Sequence, residues 1–180
     1  PAQLLLNLRG AQPLASHRIR KVVLATSAFA VKHNGNPSPS DTMEAQYSLP
    51  FTVAVAIAKG RPRIEHFSAE GLRDAAVLAV SNKVVYRFDQ RYDLRHGTGV
   101  CPARLEFRMK DGTTRVGELD GVRYGHPERP ITMEDLTEKF RECAAYSRRA
   151  LPAATVNKAI AMVERLEEVG DVSEIVRLVS

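Results

Sequence analysis

Between Ala103 and Leu119, apolar and polar positions alternate one for one. Leu105, Phe107 and Met109 interleave with Arg104, Glu106 and Arg108. Successive strand side chains point to opposite faces, so this spacing predicts a strand with one buried and one wet face. Asp111-Gly112 follows and suits the positive φ angles of a tight hairpin turn; 113–119 is predicted to return as the second strand. Elsewhere the period is helical. Leu49, Val53, Ala56 and Ile57 fall at i, i+4, i+7 and i+8, predicting a helix over 48–59 with Gly60 as its stop. Met133, Leu136, Phe140, Cys143 and Ala144 form the stripe of a second helix, capped by Thr132 with Asp135 three residues on. Val156, Ile160 and Val163 mark a third over 153–169, between Pro152 and Gly170, and Asp171 and Glu174 open a short last one.

The remaining segments are read from composition. Residues 17–32, HRIRKVVLATSAFAVK, contain no Gly or Pro and are predicted as one long strand. Residues 83–88, KVVYRF, are predicted as another, with Val84, Tyr86 and Phe88 on one face. Residues 68–80 read as a helix, whole or broken in two, with Ser68 and Asp74 as candidate caps. Two prolines make 34–41, NGNPSPSD, a loop, and 121–131 is a turn-rich connector. The resulting order is strand, helices, strand, hairpin, helices. It predicts an α+β fold: a two-layer sandwich with a mainly antiparallel sheet, helices on one face, and further helices at the C-terminal end.

Composition narrows the function classes. The 180 residues suit one domain, or one domain plus an appendage; 44% are hydrophobic, and the absence of Trp makes the core mostly aliphatic. No apolar run approaches the ~18 residues of a membrane span. PAQLLLNLRG has neither a basic leader nor a small-residue cleavage site, so neither a membrane partner nor a signal peptide is expected. Cys101 and Cys143 are far apart and suggest no disulfide framework, which fits a reducing, cytoplasmic setting. The five histidines show no HxH or HExxH spacing, and no CxxC occurs, so no locally built metal site is expected. A net charge of +5 suits either nucleic acid or small anions. The basic residues are spread along the chain, densest at Arg18, Arg20 and Lys21 and then at Arg61 and Arg63, with no interleaved aromatics. Nucleic acid is therefore not expected as a partner.

The stretch with most chemical interest is AQYSLPFTVA, residues 45–54. Proline is tolerated in the first turn of a helix, where its missing N–H would be unbonded anyway. Pro50 therefore predicts a helix capped by Ser48; the alternative is a helix starting near Asp41 or Thr42 and kinked at Pro50. Either arrangement offers free N–H groups and a positive dipole end around Ser48–Thr52, a place for an anion, with Gln46 and Tyr47 just before it. Serine-capped helix starts commonly bind only water, so both readings stand on this physics.

The same stretch, continued as AQYSLPFTVAVAIAKG, resembles the motif that opens the C-terminal domain of the MmgE/PrpD family. Phe67–Arg73 with Asp74, Val77 and Leu78 is similar to the family's next segment. Lys110-Asp111-Gly112 resembles its hairpin tip, Gly125–Pro130 its G-x-P-x-x-P connector, and Met133–Phe140 its following helix. Five pieces in order cover roughly residues 15–180. The resemblance implies a lyase or isomerase that moves protons next to the carboxylates of a small di- or tricarboxylate, such as 2-methylcitrate, with no metal and no organic cofactor. It implies a homodimer, and a helical N-terminal domain of the same protein that carries most of the basic catalytic residues. Residues 1–180 then correspond to the C-terminal α+β domain and form one wall of an interdomain site. No catalytic residue is assigned within them. The substrate-contact candidates are Ser48 with the backbone at 49–52, then Gln46, Tyr47 and the position of Phe51. Many family members have Tyr where Phe51 stands, and Phe51 has no hydroxyl to offer a carboxylate. The rival reading is a stand-alone interaction domain that keeps the fold without the chemistry. A severed half should expose a large apolar patch, and a stand-alone module should not.

Overall fold

The computed structural model describes residues 15–93, 102–119, 122 and 124–180. The expectations drawn on PAQLLLNLRG and Cys101, and the parts of the connector at 121 and 123, lie outside these. The described chain forms two compact units, up to Pro130 and from Ile131. The first holds a four-stranded sheet. β1 (Ile19–Thr26), β2 (Val84–Phe88), β3 (Ala103–Met109) and β4 (Thr114–Leu119) lie in the order β2-β1-β3-β4. β1 runs parallel to β2, with Val22 opposite Val84, and antiparallel to β3, with Leu24 opposite Leu105. β3 and β4 form the antiparallel hairpin. The fold is α+β, with the sheet mainly antiparallel.

The alternation in β3 does what it predicts: Ala103, Leu105, Phe107 and Met109 are all buried. The turn is looser than a two-residue one. Only Gly112 has positive φ, at 85°, while Asp111 holds the loop by accepting from the Thr113 N–H at 3.0 Å and pairing with Arg18 at 2.8 Å.

The long strand predicted over 17–32 is two elements. β1 ends at Thr26, and helix α1 (Ala28–His33) follows. The switch is made by Ser27, whose hydroxyl accepts from the Ala30 N–H at 3.3 Å. A serine cap here overrides the strand-like composition of its neighbours.

Both alternatives for Pro50 are partly realised. Helix α2 (Thr42–Tyr47) is capped by Asp41; Ser48 then ends it in extended geometry and caps α3 (Leu49–Ala58). A continuous helix through Pro50 would set its ring against the Gln46 carbonyl, and the break at Ser48 removes that clash. Gly60, φ 94°, follows the end of α3 as predicted. The apolar face of α3 is wider than its periodicity implies: Pro50, Phe51 and Val53–Ile57 are all buried. It packs with α4 (Ala75–Ser81) and one sheet face in a single core that includes Ile19, Val22, Leu24, Val80 and Phe107.

The 68–80 segment is broken in two, a 3-10 turn at Gly71–Arg73 followed by α4. Asp74 caps α4, accepting from the N–H groups of Ala76 and Val77, and pairs with Lys59 at 2.6 Å. The Lys59 hydrogen bond, helped by the α4 amides, holds its carboxyl below the ordinary value. A lowered folded pKa contributes stability above the unfolded value of about 3.9 and loses it as pH falls through the folded value. Asp74→Ala is therefore expected to cost about 1–2 kcal/mol at neutral pH. In urea titrations repeated at successive pH values, the gap between the two proteins should close below pH ~4.

After β2 comes a short helix, α5 (Gln90–Asp93), whose Tyr92 is buried and donates to Glu118 at 2.7 Å. The second unit consists of α6 (Met133–Ala145), α7 (Ala153–Glu164) and α8 (Ser173–Val179), with a 3-10 turn at Leu166–Glu168. Thr132 caps α6, as predicted, accepting from the Asp135 N–H.

Candidate functional site

The site is built around the α2–α3 junction. The loop 34–40 is laced to it. The Asn34 carbonyl accepts from the Leu49 N–H at 3.0 Å and from the Tyr86 hydroxyl at 2.8 Å. The Asn34 side chain donates to the Tyr47 carbonyl at 3.0 Å. The Asn36 carbonyl accepts from the Ser48 hydroxyl, and the Pro37 carbonyl from the Ser81 hydroxyl at 2.6 Å. One oxygen of Glu44 collects three donors: the Asn36 amide, the Ser40 N–H and the Ser40 hydroxyl. Burial pushes the Tyr86 phenol well above its ordinary value, which keeps it a donor to Asn34. The sequence therefore fixes a seven-residue loop that contains two prolines by giving its backbone carbonyls side-chain partners.

Beside the lacing lies an open pocket of about 280 Å³ lined by His33, Asn34, Asn36, Met43, Glu44, Tyr47 and Ser48. Tyr47 is exposed, and His33 is exposed with its ring against Phe29 at 4.6 Å between centroids. Chemically, this leaves a phenol and an imidazole accessible at one opening. Both can donate to a carboxylate. Among the described residues, no three His, Cys, Asp or Glu side chains gather as metal ligands. None of the described helices is long and apolar enough to cross a membrane.

The four candidate contact residues are placed differently. Tyr47 and Ser48 share the pocket lining. Gln46 is exposed and is not part of that lining, and Phe51 is fully enclosed in the core, edge-on to Phe67 at 5.9 Å. Ser48 is 1% exposed, and its hydroxyl both donates to Asn36 and accepts from the Phe51 N–H at 3.1 Å. The expectation of free N–H groups at 49–52 does not hold. Leu49 donates to Asn34, Phe51 to the Ser48 hydroxyl and Thr52 to the Ser48 carbonyl, and Pro50 has no N–H. What the α3 start offers is therefore its shape and dipole. Ser48→Ala is expected to cost about 1–3 kcal/mol in denaturant titrations, because it strips a cap and leaves the Asn36 carbonyl without its donor.

His33, Asn34, Asn36 and Glu44 were not legible as pocket residues. The loop that brings Asn34 and Asn36 between His33 of α1 and Glu44 of α2 reads only as a polar loop, and its closure depends on partners distant in sequence. The only local hint is Asn, Ser and Asp density, which signals side-chain-to-backbone bonding of any kind.

The model of the MmgE/PrpD C-terminal domain matches residues 1–168. The chain belongs to the MmgE/PrpD family. Among curated proteins, this family member is similar to cis-aconitate decarboxylase of Mus musculus, 28% identical over 148 residues, which is 82% of this chain and 29% of that protein. It is also similar to cis-aconitate decarboxylase of Homo sapiens, 26% identical over 165 residues, 92% of this chain and 33% of that protein. This MmgE/PrpD C-terminal domain thus spans about a third of the length of these relatives.

Proposed function

We propose that this domain forms one wall of the active site of a cofactor-independent lyase or isomerase acting on a small di- or tricarboxylate. The observation that carries the reading is the family match together with relatives named for decarboxylating an unsaturated tricarboxylate. The chemistry is general acid–base: a group on the facing helical domain moves the proton next to a carboxylate, and polar donors stabilise the enolate-like charge that develops. On this wall, Tyr47 is the accessible donor. Ser48 ends the helix α2 that carries it, and Gln46 lies beside it in sequence. Phe51 supports the wall from behind and contributes no hydroxyl. The open apolar groove on the second unit supports a partner domain in the same polypeptide over a module that works alone.

The test uses the complete polypeptide from its natural reading frame, assayed with cis-aconitate and 2-methylcitrate for release of carbon dioxide or water. Turnover of either is expected. Tyr47→Phe should lower kcat/KM about tenfold, the worth of one hydrogen bond, while leaving the melting temperature unchanged because Tyr47 is exposed. No binding of either acid by the complete protein would overturn the reading.

A further inference from the structure

Most polar groups that line the pocket beside the α2–α3 junction are already engaged. The Asn34 side chain donates to the Tyr47 carbonyl at 3.0 Å. The Asn36 side chain donates to Glu44 at 3.2 Å and accepts from the Ser38 N–H at 2.9 Å. The Ser48 hydroxyl both donates and accepts. Two donor groups in the lining have no hydrogen-bond partner among the described residues, the Tyr47 hydroxyl and the His33 imidazole. They are held relative to each other. His33 ends α1 and Tyr47 ends α2. Asn34, next to His33 in sequence, is the residue bonded to the Tyr47 carbonyl, so one hydrogen bond staples the two helix ends together. The imidazole also lies against Phe29, one turn earlier on α1, at 4.6 Å between centroids with 40° between planes. That contact limits where the imidazole can turn.

We infer that His33 is a second substrate contact on this wall. Its imidazole N–H and the Tyr47 hydroxyl take the two oxygens of one carboxylate of the proposed di- or tricarboxylate. The inference rests on the function proposed above. Donors fixed before binding lose little freedom when the ligand arrives, so each keeps more of its hydrogen-bond energy. The lining contains no Lys or Arg, and its one formal negative charge is Glu44. Three donors converge on one Glu44 oxygen and offset that charge. The pocket therefore suits one carboxylate gripped by hydrogen bonds, and the remaining carboxylates need cations from elsewhere in the complete protein.

The test titrates tricarballylate, a saturated tricarboxylate with no hydroxyl to lose, into the complete polypeptide by isothermal titration calorimetry. His33→Phe keeps a ring against Phe29 and removes the N–H, and should raise Kd about tenfold. His33→Gln restores a side-chain N–H and should recover part of that loss. Both variants should keep the melting temperature of the unsubstituted protein, because His33 is exposed. With Tyr47→Phe added, the loss in His33→Phe should be smaller than the product of the two separate losses, because both donors hold one carboxylate. A Kd within twofold in His33→Phe, a Gln variant as weak as the Phe variant, fully multiplicative losses, or no binding of tricarballylate by the unsubstituted protein would each overturn the inference. A melting temperature that falls together with the affinity would make the role of His33 structural and overturn it too. Turnover of cis-aconitate and 2-methylcitrate is assayed separately on the unsubstituted protein. Tricarballylate held as expected by a protein that turns over neither acid counts against the catalytic reading alone. Turnover by a protein whose affinity ignores His33→Phe counts against the His33 contact alone.

Discussion

Phe51→Ala is expected to lower unfolding free energy by about 3–5 kcal/mol, the largest single effect at this site. The ring is fully enclosed in the first turn of α3, next to the cap, and meets Phe67 edge-on at 5.9 Å with 61° between planes. Alanine removes the transfer energy of the ring and leaves a cavity, and the packed core around α3 relaxes only in part. It also removes the edge-to-face contact, worth about 0.5–1.5 kcal/mol beyond buried area. Phe51→Leu keeps most of the volume and should cost distinctly less. Guanidinium titration with an unchanged m-value checks this. A loss below 1 kcal/mol would mean that the ring is not enclosed in solution, and position 51 would then be open to a ligand. The result therefore bears on the proposed function: an enclosed Phe51 offers a ligand neither a hydroxyl nor a surface, and that reading assigns the polar contact to Tyr47.

What the sequence disclosed, and what it hid, follows from the range of the interactions involved. The β3–β4 hairpin was legible because alternation and Asp111-Gly112 both act over a few residues. The start of α3 was legible because Pro50 and Ser48 are neighbours and their constraints are local. The end of β1 was not: the residues on either side of Ser27 are equally apolar, and one hydroxyl decides the matter. The pocket was hidden for a different reason. Its loop is closed by bonds across 12, 44 and 52 positions, from Ser48, Ser81 and Tyr86. The same closure takes up the Leu49 N–H that local reasoning left free. Family resemblance pointed to the stretch 45–54, but it could not show which of its side chains are spent on structure.

Gly71→Ala is expected to be nearly as damaging as the loss of Phe51, for the opposite reason. Gly71 opens the second of two 3-10 turns, Ile64–Phe67 and Gly71–Arg73, that fold back on each other. A Cβ there would lie 2.4 Å from the Glu65 carbonyl oxygen and 2.6 Å from the His66 carbonyl carbon and oxygen. These are backbone atoms and cannot rotate aside, so one turn must move. Overpacking of this kind typically costs about 1–3 kcal/mol, and a contact this short with backbone points to the upper end. The first turn carries Phe67, the partner of Phe51. If Gly71→Ala pushes that turn outward, the Phe51–Phe67 contact is already weakened, and adding Phe51→Ala should cost less than the sum of the two. A double-mutant cycle in urea should then give a coupling of about 0.5 kcal/mol or more. Additivity would show that the clash is relieved at residues 71–73 alone, with Phe67 and the wall it supports left in place.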